Sequence, residues 1–148
     1  AVTGASLPEV FDAGFYGARE GAQHGKPVSV ASVEKRMELA ISIARKGLGW
    51  ERTMLELGDV VGAGLSANEA VPCVFGILAA TDADALSAIK MGVNIGNDTD
   101  TIATMVGAIA GAMHGASVFP EEMCKTVVSV NKMDIPAAAK AFTEVFYG

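Results

Sequence analysis

The sequence has few cysteines, few aromatic residues and no cluster of basic residues. Two cysteines occur in 148 residues, Cys73 and Cys124, both in apolar surroundings and without a CxxC spacing. This pattern excludes a disulfide framework and indicates buried, inert thiols in a reducing, cytoplasmic compartment. Aromatic residues make up 6% and the formal net charge is -6, so we expect neither a nucleic-acid partner nor an anionic membrane surface.

The N-terminus has no basic segment followed by an apolar block, so no signal peptide is expected. The first residue is Ala1 rather than Met, which favours a processed or cut fragment. Hydrophobic residues make up 51% of the chain and its mean hydropathy is +0.37. A chain of this size forms one core, and so apolar a composition suggests that part of its surface lies against a partner.

Hydrophobic spacing and helix-start signals predict an all-α fold of about seven or eight helices, forming a single unit over residues 1–148. Residues 6–9 and 66–69 both have the Ser-x-x-Glu spacing of a capping box. Pro72 is expected to kink or restart its helix. Val28 and Val30 alternate with small residues, which suits a short strand, although the neighbouring Pro and Gly favour a loop. In the last helix, Ala139, Phe142 and Phe146 are expected to face inward.

The stretch at 96–103 reads Gly-Asn-Asp-Thr-Asp-Thr-Ile-Ala and concentrates oxygen ligands directly before an apolar run. Asp98 alone suits a helix N-cap. Asp100 and Thr101 favour a site for a cation, because a helix start needs only one cap. Carboxylate and hydroxyl oxygens are hard ligands, typical of Mg, Mn or Ca sites rather than Zn or Cu sites.

The run after this motif is uncharged, since no Lys, Arg, Asp or Glu occurs between Thr101 and Pro120. A membrane span is the less favoured interpretation, because glycines, His114 and Pro120 interrupt the run. We instead expect a central helix that is buried all round, in which Gly107 and Gly111 let neighbouring helices approach closely.

The motif at 96–103, followed by Gly-Ala-Ile-Ala-Gly-Ala at 107–112, resembles the C-terminal metal motif of the ADP-ribosylglycohydrolase family. Residues 61–72 are similar to that family's preceding glycine loop and helix, and residues 32–36 to an earlier helix start. The resemblance covers most of the chain in the expected order. It implies an all-helical metal hydrolase that cleaves the bond joining ADP-ribose to an acceptor, using two Mg or Mn ions.

Site residues follow from the resemblance by motif position. Asp98, Asp100 and Thr101 would be metal ligands, with no further catalytic residue in this chain. Gly64, Leu65, Gly96 and Asn97 would bind an ADP-ribose-type ligand. At position 97 the family usually has Gly, and Asn is expected to preserve the turn because it tolerates positive φ better than most residues.

The resemblance also implies a missing portion. The family's other metal ligands lie in an N-terminal half with a Thr-Asp-Asp run, whereas this chain contains no Asp-Asp pair. The chain is therefore expected to be a C-terminal half that shares its metals with an N-terminal half and is inactive alone. Two alternatives remain open: a metal hydrolase of another ribosyl compound, and a catalytically silent, crystallin-like structural member.

Overall fold

The computed structural model describes residues 1–25 and 29–147, with side chains up to residue 145. These residues form eight α-helices and no strand, which confirms the all-α prediction. The helices are α1 (Leu7–His24), α2 (Val33–Ala44), α3 (Trp50–Glu56), α4 (Ala67–Thr81), α5 (Ala85–Asn94), α6 (Thr99–His114), α7 (Glu121–Asn131) and α8 (Ile135–Tyr147). A short π-helical segment, Leu57–Val61, continues directly from α3.

Internal contacts divide the chain into two compact units, Ala1–Ala116 and Ser117–Gly148. The first contains α1 to α6 and the second contains α7 and α8. The prediction that residues 1–148 form a single all-α unit is not tested by this division and stays a prediction.

The buried centre of the first unit is α4 rather than α6. Every residue from Pro72 to Leu78 is buried, and α2, α5, α6 and the π-helical segment all pack against α4. In α6 the buried residues form a single stripe, spaced about one helical turn apart: Ile102, Val106 and Ala110. The expectation that α6 is buried all round is therefore wrong for the described chain, because Thr104 and Ala108 on its other side are exposed.

Pro72 lies inside α4 without ending it, so the helix does not restart there, and the expected kink stays a prediction. Proline has no backbone N–H, so the carbonyl four residues earlier, that of Asn68, loses its helical partner. The guanidinium of Arg36, on α2, donates to this carbonyl at 3.0 Å. A side chain of α2 thus replaces the missing hydrogen bond of α4, and the helix continues to Thr81.

The predicted helix starts are largely confirmed. The first capping box forms, since the Ser6 backbone N–H donates to the Glu9 carboxylate at 2.8 Å, and hydrogen bonds from Ser6 hold the pKa of Glu9 below its usual value. The question of a strand at Val28 lies outside the described residues, whereas Val30 lies in an exposed bend.

Residues of the second unit are mostly exposed. Neither α7 nor the described side chains of α8 contain a buried residue. Ala139 is exposed and Phe142 is 67% exposed, so their predicted inward orientation is wrong in the described chain, and the Phe146 side chain lies outside it. Cys124 is also exposed, unlike Cys73, whose burial raises its thiol pKa to about 12. Only Cys73 is therefore the buried, inert thiol that the sequence predicted.

Gly92 on α5 leaves less room for a side chain than Gly107 on α6 does. A Cβ atom on Gly92 would lie 2.9 Å from the Ala103 Cα atom, whereas one on Gly107 would meet only the side chain of Ile89, at 3.2 Å. Backbone atoms cannot rotate away, but the end of an isoleucine can. Gly92 therefore fixes the spacing of the two helices on which the candidate site depends.

We expect Gly92→Ala to lower the free energy of unfolding by about 1–3 kcal/mol, because the added methyl group overpacks the contact with Ala103. Gly107→Ala is the matched control. There the methyl group displaces only the Ile89 side chain, and alanine favours the helix by about 0.5–1 kcal/mol. Urea denaturation of both variants tests this; equal losses of stability, or no loss in Gly92→Ala, would contradict the account.

Candidate functional site

Asp98 is the N-cap residue of α6, and its carboxylate does not cap the helix. The residue is buried, with 8% of its surface exposed. Within the described part of the chain its side chain makes no hydrogen bond and no ion pair. Buried carboxylates are normally hydrogen-bonded or paired, because an unpaired buried charge is costly. The capping interpretation therefore loses its support at Asp98.

The two other predicted metal ligands follow in the first turn of α6. Asp100 and Thr101 are both exposed. The structure thus places the three residues in one helical turn, with Asp98 on the buried side. In the described residues no fully enclosed side-chain oxygen lacks a partner, so the Asp98 oxygens retain contact with solvent.

The glycine loop, residues 61–66, is shaped by the side chain of Glu69. The Gly64 backbone N–H donates to Glu69 Oε2 at 3.1 Å. A Cβ atom on Gly64 would lie 2.5 Å from that same oxygen, and one on Gly62 would lie 2.9 Å from the Glu69 side chain. Gly62 also has φ +92°. Gly62 is therefore required by the backbone of the turn, whereas a side chain at Gly64 would displace the Glu69 carboxylate.

The hydrogen bond of Glu69 to the glycine loop was not predicted from the sequence. The spacing at 66–69 predicted a capping box, and α4 does start after Ser66, but Ser66 makes no side-chain capping bond. The Glu69 carboxylate bonds to Gly64 instead of Ser66, and its other oxygen lies 3.7 Å from Arg36 Nη1. The Ser-x-x-Glu spacing drew attention to Glu69, but it predicted the wrong partner. The glycines that precede Ser66 were the sequence feature that could have indicated a bond to the loop.

A backbone hydrogen bond joins the glycine loop to the start of α6. The Asp98 N–H donates to the Ala63 carbonyl at 2.9 Å. The chain reaches this position through Gly96 at φ +87° and Asn97 at φ +58°, so Asn97 adopts the expected left-handed conformation. Of the predicted ligand-binding residues, Gly64 is buried in the loop, whereas the Leu65 side chain is 86% exposed beside it.

No group of three or more His, Cys, Asp or Glu residues in the described chain is arranged to hold a metal ion. Two open clefts, one lined by residues of α3 and the other by residues of α1 and α2, include none of the candidate residues. No helix in the described ranges is long and apolar enough to cross a membrane. The candidate site is therefore a partial ligand set rather than a closed metal centre.

Comparison with known proteins assigns the family. The family model of ADP-ribosylglycohydrolase matches residues 1–148. This chain belongs to the ADP-ribosylglycohydrolase family, as its motifs indicated. No solved structure matches it.

Two relatives show how much of a family member the chain represents. The uncharacterized protein YegU of Escherichia coli (strain K12) is 33% identical over 139 residues, which cover 94% of this chain and 40% of YegU. The ADP-ribosylhydrolase ARH3 of Homo sapiens is 34% identical over 95 residues, covering 57% of this chain and 26% of ARH3. The chain thus spans well under half the length of the curated relatives it matches.

Asp98→Ala should not destabilise α6, because no hydrogen bond of the carboxylate is lost. A capping Asp would instead cost about 1 kcal/mol on replacement by Ala. Asp84 provides the matched control, since this N-cap of α5 accepts a hydrogen bond from the Ser87 N–H at 2.9 Å. Asp84→Ala should lower the thermal midpoint, and a comparable loss in Asp98→Ala would show that Asp98 is a structural cap.

The contribution of Asp84 to the stability of the fold should also depend on pH. Hydrogen bonds from the side chain and the backbone of Ser87 hold the Asp84 pKa below its usual value. A lowered folded-state pKa stabilises the fold above the unfolded-state pKa, and the effect is lost as the pH falls through the folded-state pKa. The difference in thermal midpoint between wild type and Asp84→Ala should therefore narrow in acid.

Proposed function

We propose that this chain forms part of a Mg- or Mn-dependent hydrolase that cleaves the glycosidic bond between ADP-ribose and an acceptor. The observation that carries the proposal is the buried residue Asp98. Its carboxylate has no protein partner in the described chain, and its backbone N–H bonds to the glycine loop. Family membership supports the reaction class, and ARH3, by its name, is an ADP-ribosylhydrolase.

The donor set fits a hard divalent cation. Asp98, Asp100 and Thr101 supply two carboxylates and one hydroxyl within one turn, and Mg and Mn prefer such oxygen ligands. Three residues do not complete the octahedral shell that Mg demands. We therefore assign them as part of a coordination shell, in a site of two ions, with the remaining ligands on another segment.

That segment is, in our proposal, the N-terminal half of the same protein. The match covers 40% of YegU, which leaves most of that relative's length outside it. The positive end of the α6 dipole opposes a cation at the helix start, so this chain alone should bind Mg or Mn weakly. Additional carboxylates would offset that repulsion. The isolated chain is accordingly proposed to be inactive.

Two sets of residues have separate roles in the proposed reaction, one binding the ligand and the other holding the metal ions. An ADP-ribose-type ligand would lie beside the start of α6. It would contact Gly64 and Leu65 on one side, and Gly96 and Asn97 on the other. When bound, the metal ions would orient the ribose hydroxyls and a nucleophilic water as oxocarbenium-like charge develops at the ribose. Asp98, Asp100 and Thr101 would hold those ions. We place the reaction in the cytoplasm, without nucleic acid or membrane as a partner.

The test is release of ADP-ribose by the chain combined with its N-terminal half, with arginine- and serine-linked substrates. We expect hydrolysis that requires Mg or Mn and is abolished by a chelator. Asp100→Asn should abolish it while the far-ultraviolet circular dichroism remains helical, because an exposed side chain does not support the fold. Asp82→Asn is the matched control, since Asp82 precedes α5 rather than α6, and it should retain full activity.

Five results would overturn the proposal or one of its parts. Full activity in Asp100→Asn, or activity without a divalent ion, would remove the metal assignment. Tight Mn binding by the isolated chain in titration calorimetry would show that no second segment is needed. Absence of hydrolysis by the combined protein, with Mn bound, would favour a catalytically silent member, and hydrolysis of other ribosyl compounds alone would change the substrate class.

A further inference from the structure

We propose that Glu69 is a positioning residue that holds the glycine loop, and through it the metal ligand Asp98, in place. This inference rests on the proposed function, because it assumes that Asp98 holds a metal ion. Glu69 lies on α4, outside the ligand motif, and its carboxylate bonds to the loop. Its effect on the metal therefore passes through the backbone rather than through direct contact.

The first argument is a comparison inside the chain. Glu9 and Glu69 are each the third residue of a helix whose N-cap is a serine, Ser6 in α1 and Ser66 in α4. Glu9 bonds to the N–H of its own N-cap, Ser6, at 2.8 Å. Glu69 instead reaches two residues further back, to the N–H of Gly64. The bond that normally stabilises a helix start is here used to fix a loop.

The second argument is that the Glu69 carboxylate is held from both sides. Its Oε2 accepts the Gly64 N–H at 3.1 Å, and its Oε1 lies 3.7 Å from Arg36 Nη1. Arg36 is itself fixed, because the same nitrogen donates to the carbonyl that Pro72 leaves without a helical partner, at 3.0 Å. Helix α2 thereby determines where the carboxylate lies, and Glu69 determines where Gly64 lies.

The third argument is the short path from Gly64 to Asp98. The residue before Gly64, Ala63, accepts the Asp98 N–H at 2.9 Å. A Cβ atom on Gly64 would also lie 3.4 Å from Asn97 Nδ2, so the loop contacts the turn before α6 as well. A displaced loop would therefore displace the N-cap of α6. Asp98, whose side chain has no bond of its own in the described chain, depends on this backbone contact for its position.

The experiment measures Mn affinity in the chain combined with its N-terminal half, using the electron paramagnetic resonance signal of free Mn. Glu69→Ala should weaken Mn binding by about 10- to 100-fold, the range found when residues that orient metal ligands are removed. Glu69→Gln should retain most of the affinity, because its amide oxygen can still accept the Gly64 N–H. Glu9→Ala, the matched control, removes a helix-start carboxylate elsewhere and should leave Mn affinity unchanged.

The outcomes separate this inference from the proposed function. If wild type neither binds Mn nor hydrolyses substrate, the proposed function fails. If wild type does both and folded Glu69→Ala binds Mn with wild-type affinity, only the positioning role fails. Should Glu69→Ala not fold, Gly64→Ala tests the same contact, because its methyl group would displace the Glu69 carboxylate. Wild-type Mn affinity in folded Gly64→Ala would overturn the inference.

Discussion

The hydrogen bond from the Asp98 N–H to the Ala63 carbonyl, 2.9 Å long, joins the two stretches that make up the candidate site. It brings a glycine loop before α4 against the first turn of α6, although the residues are far apart in sequence. The loop is held by Glu69 and the helix start by two successive residues with positive φ. The Asp98 residue contributes only its backbone N–H to this bond, so its carboxylate is not used by it and makes no hydrogen bond in the described residues.

The unused Asp98 carboxylate differs from the carboxylates at two other helix starts. Asp84 uses its side chain to cap α5, and Glu9 uses its side chain to complete the capping box of α1. Asp98 is an N-cap residue like Asp84, yet its side chain satisfies no donor in the described residues. A carboxylate that makes no bond within the protein is free to bind a ligand of the kind proposed above.

Helix starts and the family motif were predictable because they depend on residues close together in sequence. The two Ser-x-x-Glu spacings located the starts of α1 and α4, and the oxygen-rich motif located the start of α6. Burial was less predictable, since an apolar run does not specify which neighbours cover it. The sequence therefore assigned the central position to α6, whereas α4, packed by α2, α5 and α6, occupies it. The hydrogen bonds of Arg36 and Glu69 could not be predicted from sequence, because both are tertiary contacts. Arg36 donates to the carbonyl that Pro72 leaves without a helical partner, and Glu69 accepts from a loop N–H.

The most direct test of the central claim is Mn-induced paramagnetic broadening of amide signals in nuclear magnetic resonance spectra of this 148-residue chain. Broadening is strong close to a bound ion and is detectable even when binding is weak. The account predicts that substoichiometric Mn first broadens the amides of residues 96–101 and of the glycine loop at Ala63 and Gly64. Earlier broadening at other carboxylates, such as those of Asp82 and Asp84 or of Glu51 and Asp59, would contradict it.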